Sequence, residues 1–156
     1  MSKIVAGITV SVDGYITGPD DGPGCGLGVG GERLHYWVFG GPWSYESSGR
    51  GEASGEDKAY LDEMTGANGA VIAGRGTYEA AGAWGGANPW DVPLFIVTHR
   101  PGLAAGYVDE LTVIVAPVVL GGGKGLFDGF GQSLDLEHLW VRQSPFATFI
   151  HYRVKR

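Results

Sequence analysis

The sequence is poor in cysteine, in basic residues and in long apolar runs, and each shortage excludes a class of protein. A single cysteine among 156 residues, Cys25, excludes an internal disulfide and a cysteine-based metal cluster, and it fits a reducing, cytoplasmic location. The 11 Lys and Arg against 17 Asp and Glu give a net charge of −6. Because nucleic acids and anionic membranes attract clustered basic residues, we expect neither as a partner. No apolar run approaches the roughly 18 residues of a membrane span, and the chain opens on a strand pattern that differs from a signal peptide.

Histidine is also sparse, whereas glycine is in excess. The histidines show no spacing typical of metal ligands, so we expect no bound metal; they are His35, His99, His138 and His151. Glycine fills 29 of 156 positions, against about 7% in average proteins. With 44% apolar residues, the composition indicates one loop-rich globular domain over residues 1–156.

The hydrophobic pattern predicts an α/β fold. Apolar and β-branched runs predict strands at 3–12, 70–74, 93–99 and 111–120, and an antiparallel hairpin of 134–142 with 148–154. Helices are expected at 32–39, 54–65 and 77–83. Strands separated by helices favour a mostly parallel sheet, to which the terminal hairpin adds an antiparallel edge.

The sharpest local signal is the turn between the strand at 70–74 and the following helix. Its residues Gly74, Arg75, Gly76 and Thr77 combine free backbone N–H groups, a guanidinium and a hydroxyl. Such a turn at a helix N-terminus can hold a phosphate. The alternative is a tight strand-to-helix turn in which Thr77 caps the helix and Arg75 is solvated.

The turn after the first strand carries a second candidate, Ser11-Val12-Asp13-Gly14-Tyr15. Open α/β sheets bind ligands at the carboxyl ends of their strands, and a partly buried Asp13 there would have a raised pKa and could donate a proton. The alternative is an Asp-Gly turn whose carboxylate bonds to its own backbone.

Weaker signals come from a glycine run and from tryptophans in loops. The segment 117–125 contains three consecutive glycines, including Gly122, that could let backbone approach a ligand, and Lys124 could meet an anion. Aromatic residues in glycine-rich segments often line a small-molecule pocket, although each one can equally be packing. The tryptophans concerned are Trp37, Trp43, Trp84 and Trp90.

Together these segments resemble the dihydrofolate-reductase-like family that includes the C-terminal reductase domain of bacterial riboflavin biosynthesis. The matching stretches are SVDGYITGPDDGP (11–23), GGERLHYWVFGG (30–41), AGRGTYEAAGAWGG (73–86), PWDVPLFIVTHRP (89–101) and AAGYVDELTVIVAPVVLGGGKGLFDG (104–129), followed by the closing hairpin. The resemblance implies a three-layer α/β/α sandwich that reduces a pterin or a ribosylaminopyrimidine with NADPH. It also implies that residues 74–77 contact the phosphates of the cofactor, and that Asp13 and Tyr15 line the substrate and nicotinamide side.

One departure from the family affects both the expected sheet and the expected cofactor site. Between Pro101 and Val108 the chain has only GLAAGY, where the family has a strand, a helix, a central strand with a Gly-Gly turn that holds the pyrophosphate, and a second helix. Six residues are too few for a parallel crossover, which needs about a dozen or more. We therefore expect a mixed sheet without its central strand and helix, and a gap beside the first strand that a loop or a partner chain must fill.

Three functions remain open. The first is a non-redox enzyme of specialised metabolism, a cyclase, isomerase or addition enzyme that needs no cofactor. Its catalytic residues would be Asp13, Tyr15 and Glu32, and its substrate-binding residues Ser11, Trp37, Trp84, Trp90 and Gly122. The second is an NADPH-dependent reductase, and the third is a non-catalytic metabolite binder.

We also expect a homodimer. The sheet is shortened in its middle, and the terminal hairpin is rich in apolar residues that would need cover, namely Trp140, Val141, Phe149 and Tyr152.

Overall fold

A computed structural model describes residues 2–47, 49–97 and 106–155 of the chain. The strands in these ranges are β1 (Val5–Val10), β2 (Val71–Gly74), β3 (Leu94–Val97), β4 (Glu110–Val115), β5 (Leu136–Gln143) and β6 (Thr148–Val154). The α-helices are α1 (Tyr36–Phe39), α2 (Gly55–Gly66) and α3 (Arg75–Ala80), and 3₁₀ turns cover Gly31–His35 and Gly82–Gly86. A helix or strand is found at each predicted position, and most of the strands are shorter than the apolar runs that predict them.

The differences in element bounds have local causes. The strand predicted over 111–120 ends at Val115, because Pro117 has no N–H to donate to a neighbouring strand. Helix α3 begins at Arg75, two residues before the predicted start, directly on the end of β2. The end of the strand predicted over 93–99 and most of the short link after it lie outside the described residues.

The larger sheet is mixed, as predicted. Its strand order is β1-β4-β6-β5, with β1 parallel to β4 and the other pairs antiparallel. The register runs from Val5 opposite Glu110 to Val10 opposite Val115. The terminal hairpin is therefore confirmed, and its strand β6 joins it to the parallel pair.

The remaining two strands form a separate sheet. Strand β2 pairs in parallel with β3, from Val71 opposite Leu94 to Gly74 opposite Val97. Within the described residues no strand joins this pair to the larger sheet, in which β1 is an edge strand. A sheet divided beside the first strand agrees with the absence of a central strand that the short link predicts.

The main hydrophobic core lies between α1, α2 and the larger sheet. Its fully buried members are Trp37, Tyr60, Ile114, Ala147 and Phe149. The prediction that Trp37 lines a ligand pocket is wrong: the side chain is 4% exposed, and its Nε1–H donates to Thr9 Oγ1 over 3.0 Å.

The terminal hairpin is mostly covered. Phe149 is 0% exposed and packs edge-to-face on Trp37, with ring centroids 5.4 Å apart. Trp140 is half-buried and stacks on the imidazole of His151, whereas Val141 is 50% exposed. The apolar hairpin residues that led us to expect a dimer are thus largely satisfied within the chain.

Candidate functional site

The turns that follow β1 and β4 pack against each other at the carboxyl ends of these parallel strands. Val12 N–H donates to the carbonyl of Val118 over 2.8 Å, and Tyr15 forms an antiparallel bridge with Gly125. These contacts bring together four predicted site residues, Ser11, Asp13, Tyr15 and Gly122. The strand ends are therefore the first part of the candidate site.

Asp13 is fixed by the turn that follows β4. Its Oδ1 accepts the Leu120 N–H over 3.1 Å, and its Oδ2 accepts the Gly121 N–H over 2.8 Å. The hydroxyl of Ser11 is the largest cause that lowers the pKa of Asp13 to about 2; the two amides add to it, and desolvation opposes them. The expectation of a raised pKa is wrong, because the carboxylate is solvent-exposed and stabilised by donors. With that pKa the carboxylate is ionised at pH 7, which does not favour a role as general acid.

Ser11 and Tyr15 complete this turn in different ways. The Ser11 side chain is 1% exposed, and its oxygen accepts the Tyr15 N–H over 2.9 Å. Its predicted contact with substrate is therefore replaced by a structural role, since the hydroxyl is enclosed by its own turn. Tyr15 is half-buried beside the β4 turn, where its catalytic role stays a prediction.

The glycines around this turn allow the chain to approach itself. A β-carbon at Gly18 would lie 2.0 Å from the Val29 carbonyl oxygen, and one at Gly123, where φ is +128°, would lie 1.9 Å from the Thr17 carbonyl oxygen. A β-carbon at Gly122 would make an ordinary contact with the ring of Pro19, at 3.4 Å. Of the glycine run after β4, Gly123 thus serves backbone packing, while the substrate contact of Gly122 stays a prediction.

Near the strand ends, the charged side chain of Lys124 is paired, whereas two apolar side chains are exposed. Lys124 is paired with Asp21, so its ammonium is already neutralised and is not the free anion ligand that we expected. Val12 and Val119, on either side of the Asp13 turn, are 62% and 67% exposed. These two valines therefore present exposed apolar surface on either side of the carboxylate.

The second part of the candidate site is the turn at the end of β2. Gly74 has an extended conformation and precedes α3, and Thr77 lies inside that helix, so the alternative in which Thr77 caps it is wrong. Added β-carbons at Gly74 and Gly76 would meet nothing within 4 Å. Arg75 Nε bonds Glu79 Oε1 over 2.7 Å, in a pair that is exposed on both sides and thus weak. The turn is open to a ligand, and its guanidinium can be recruited at little cost.

An aromatic cluster adjoins this turn. Tyr78 and Trp84 lie edge-to-face with ring centroids 5.6 Å apart, and Trp84 and Trp90 do so at 5.0 Å. All three are half-buried. Trp84 has a left-handed backbone (φ +48°), which is costly for a residue with a side chain and is often retained near functional sites. Trp84 and Trp90 stay candidate substrate contacts.

The loop before α1 links the two parts of the site. A β-carbon at Gly26 would lie 2.4 Å from the carbonyl oxygen of Ala80 at the end of α3, so the backbones touch there. Glu32 is half-buried in the 3₁₀ turn, and its backbone carbonyl accepts the Trp43 Nε1–H over 3.0 Å. The contacts of the described residues do not bring its carboxylate to Asp13, and its catalytic role stays a prediction.

Comparison with known proteins identifies the architecture. The family model of the RibD C-terminal domain matches residues 97–146, about a third of the chain. A protein of riboflavin biosynthesis from Shewanella sp. PV-4 superposes over 100% of both chains, with a TM-score of 0.62 and 18% identity. The fold is dihydrofolate-reductase-like. Dihydrofolate reductase from Enterococcus faecalis, solved with NADP(H), agrees: its TM-score is 0.52 at 12% identity, over 99% of this chain and 97% of that one.

Longer proteins contain the same fold. RibD from Acinetobacter baumannii superposes with a TM-score of 0.58 at 14% identity, over 100% of this chain and 59% of that protein. No curated protein matches the sequence. The resemblance to riboflavin-type reductase domains is thereby confirmed at the level of the fold.

The described residues fit part of an NADPH molecule. The open Gly74–Thr77 turn suits one phosphate group, and the strand ends offer an exposed surface for a ring. A second strand with a Gly-Gly turn beside β1 is absent from the described ranges. A pocket of about 350 Å³, lined by Val38, Phe39 and Leu61 among others, lies between α1 and α2 and away from both turns. The described residues would therefore hold one phosphate and the ring of the cofactor, without a second turn for the pyrophosphate.

The described ranges contain neither a metal-binding cluster nor a membrane-spanning helix. No group of three or more His, Cys, Asp or Glu residues there is arranged to hold a metal ion. Among the helices described, none has the length and apolarity to cross a membrane.

Proposed function

We propose that the chain is an NADPH-dependent reductase of a small heterocyclic substrate of the pterin or ribosylaminopyrimidine type. The observation that carries this proposal is the pair of exposed turns at the carboxyl ends of β1 and β2, on a scaffold that superposes over its full length on a riboflavin biosynthesis protein. The presence of NADP(H) in the similar dihydrofolate reductase supports the choice of cofactor. The substrate class is supported by a similar Thermotoga maritima protein, a diaminohydroxyphosphoribosylaminopyrimidine deaminase/5-amino-6-(5-phosphoribosylamino)uracil reductase. It superposes with a TM-score of 0.55 and 10% identity over 98% of this chain and 57% of that one.

The Gly74–Thr77 turn would hold a phosphate group of the cofactor. The backbone N–H groups at the start of α3 and the Thr77 hydroxyl would donate to phosphate oxygens, and Arg75 would exchange Glu79 for the more highly charged phosphate. When bound, NADPH supplies a hydride. The aromatic rings of Trp84 and Trp90 lie next to this turn and would shield the bound molecule from water.

Asp13 would recognise the substrate as an anion. The carboxylate accepts the N–H groups of Leu120 and Gly121 and the hydroxyl of Ser11, and an acceptor position that these donors leave would take an amino group on a heterocycle. The exposed Val12 and Val119 would pack on the ring itself. This role needs the low pKa of Asp13, whereas proton donation would be hindered by it.

A non-redox enzyme is the second candidate, because one observation favours it. Strand β1 has no neighbour on its outer side within the described residues, where the resemblance implies the second cofactor turn. In that case Asp13, Tyr15 and Glu32 would act without a cofactor, with Asp13 as a base or an anchor. A metabolite binder would use the same surface with no turnover.

Variants of two matched ion pairs test the reductase proposal. Arg75 with Glu79 and Lys58 with Asp62 are both exposed pairs four residues apart on a helix. We expect Arg75→Ala to weaken NADPH binding by about tenfold, as the loss of one charge-assisted contact of roughly 1.4 kcal/mol requires, and Lys58→Ala to leave it unchanged. Calorimetric titration measures both. Equal affinities for the two variants would remove Arg75 from the proposed cofactor site.

A further inference from the structure

The sequence contains two asparagines, and their surroundings are opposite. Asn68 precedes Gly69 in the connection between α2 and β2, and Asn88 precedes Pro89 ahead of β3. Asparagine is a thermally labile residue, because its side-chain amide can be attacked by the backbone nitrogen of the residue that follows it. The freedom of the side chain and the identity of the next residue therefore decide whether an asparagine reacts.

Asn88 is protected in both respects. Its Nδ2 donates to the Val92 carbonyl over 2.8 Å, and its Oδ1 accepts the Trp90 N–H over 3.1 Å. The next residue is Pro89, whose nitrogen carries no hydrogen to lose and cannot become a nucleophile. This side chain is held in place and has no attacking group beside it.

Asn68 has neither protection. It is half-buried just beyond the end of α2, and within the described part of the chain its side-chain amide makes no hydrogen bond. Gly69 is exposed, and its N–H has no acceptor in that same part. A β-carbon at Gly69 would meet no atom of a non-adjacent residue within 4 Å. The Gly69 nitrogen can therefore approach the Asn68 side chain without a steric obstacle or a competing hydrogen bond.

The Asp-Gly pair of the candidate site is not open in this way. The Gly14 N–H donates to the Ser11 carbonyl over 2.9 Å, and the Asp13 carboxylate is bound by two backbone amides. Both groups that would have to meet are thus held by other partners. An exposed glycine after a side-chain carbonyl is therefore not sufficient, and the freedom of both groups distinguishes Asn68-Gly69.

We propose that Asn68-Gly69 is a site of spontaneous covalent modification, at which asparagine is converted to aspartate and isoaspartate. The Gly69 nitrogen loses its proton and forms a bond to Asn68 Cγ; the bond from Cγ to Nδ2 breaks, and Nδ2 leaves as ammonia with that proton. A cyclic imide results. Water then opens the ring, giving aspartate when it attacks Cγ and isoaspartate when it attacks the backbone carbonyl carbon. The reaction consumes one water and needs no oxidant or reductant.

The product differs from the original chain in charge and in backbone length. A carboxylate at position 68 makes the net charge of −6 one unit more negative, directly after a helix whose last turn has no basic residue. Isoaspartate also adds one atom to the main chain in the connection that leads into β2, whose first residue Val71 donates its N–H to the Pro93 carbonyl over 2.8 Å. The modified chain is therefore separable from the unmodified chain by charge.

Incubation at physiological temperature and mildly alkaline pH, which favours loss of the Gly69 proton, tests the proposal. Wild-type protein should release one ammonia per chain, and the peptide that contains Asn68 should gain about one dalton. Gly69→Ala should slow this release by at least about fivefold, because a methyl group hinders the approach and restricts the backbone. The same substitution should leave the fold intact, since the new β-carbon lies in open space and Gly69 has no positive φ.

The two asparagines provide the matched controls. Asn68→Gln should abolish the early release of ammonia, and Asn88→Gln should leave the wild-type rate unchanged. A wild type that keeps Asn68 intact, a folded Gly69→Ala variant that reacts as fast as the wild type, or modification at Asn88 before Asn68 overturns the proposal. None of these measurements involves NADPH, so this inference can fail while the proposed function stands.

Discussion

Replacing Trp37 by Phe tests whether Trp37 belongs to the hydrophobic core or to a ligand pocket. Trp37 is 4% exposed, contacts the rings of Tyr60 and Phe149, and donates its indole N–H to Thr9 over 3.0 Å. Phe keeps one aromatic ring, but it leaves a partial cavity, and the buried hydroxyl of Thr9 loses the indole N–H as its donor. Removing a partner from a buried hydrogen bond costs about 1–3 kcal/mol, and the cavity adds to it, so we expect a loss of about 2–3 kcal/mol.

Urea unfolding at equilibrium measures this loss. With a slope of about 2 kcal/mol per molar, typical of a domain of this size, the midpoint should fall by roughly 1–1.5 M. Trp84→Phe is the control, because Trp84 is half-buried outside the core and should shift the midpoint by less than half as much. If Trp37→Phe left the midpoint unchanged and abolished ligand binding, the assignment of Trp37 to the core would be refuted.

Two further predictions concern the loops. Gly123→Ala places a β-carbon 1.9 Å from the Thr17 carbonyl oxygen at a φ of +128°, so it should destabilise the chain by at least about 2 kcal/mol. Its control is Gly129→Ala, at φ +72° in open space, which should cost about 1–2 kcal/mol. Equal losses of stability in thermal unfolding would contradict the close approach at Gly123. Burial lowers the pKa of His35 to about 4, helped by the Arg50 charge, so the unfolded chain binds the extra proton between pH 4 and 6.5. Stability should therefore fall as the pH is lowered through that window, and His35→Gln should flatten the profile; a variant with the wild-type profile would exclude His35 as the cause.

The fold was predictable because it rests on signals that are local in the sequence. Apolar runs mark β1 and β4, and the alternation of the tail marks the hairpin of β5 and β6. The short link after Pro101 also predicts a sheet without a central strand, because chain length limits a crossover whatever the side chains are.

The candidate site was predictable in position but only partly in chemistry. Asp13 lies at a strand end as expected, yet its pKa shift is caused first by the Ser11 hydroxyl and then by two amides more than a hundred residues away in sequence. In the same way, nothing local distinguishes a glycine that approaches a ligand from Gly18, which approaches the carbonyl of Val29. The local sequence shows neither the geometry of the Asp13 turn nor the close approach at Gly18.

Because the sheet is divided beside β1, the reductase proposal depends on the two open turns. A nicotinamide dinucleotide would need contacts along its length, and the two regions proposed for them are the Gly74–Thr77 turn and the surface around Asp13. The loop contact between Gly26 and Ala80 is what keeps these two regions adjacent. The reductase proposal therefore depends on both turns being used by one bound molecule.

Backbone amide shifts during an NADPH titration test that claim most directly. If the chain is a reductase, saturable shifts should appear together at Gly74–Thr77 and at Leu120 and Gly121, the amides that bind Asp13, at micromolar cofactor. Unshifted amides at both turns in the presence of millimolar NADPH would contradict the reductase and leave the non-redox enzyme as the better account.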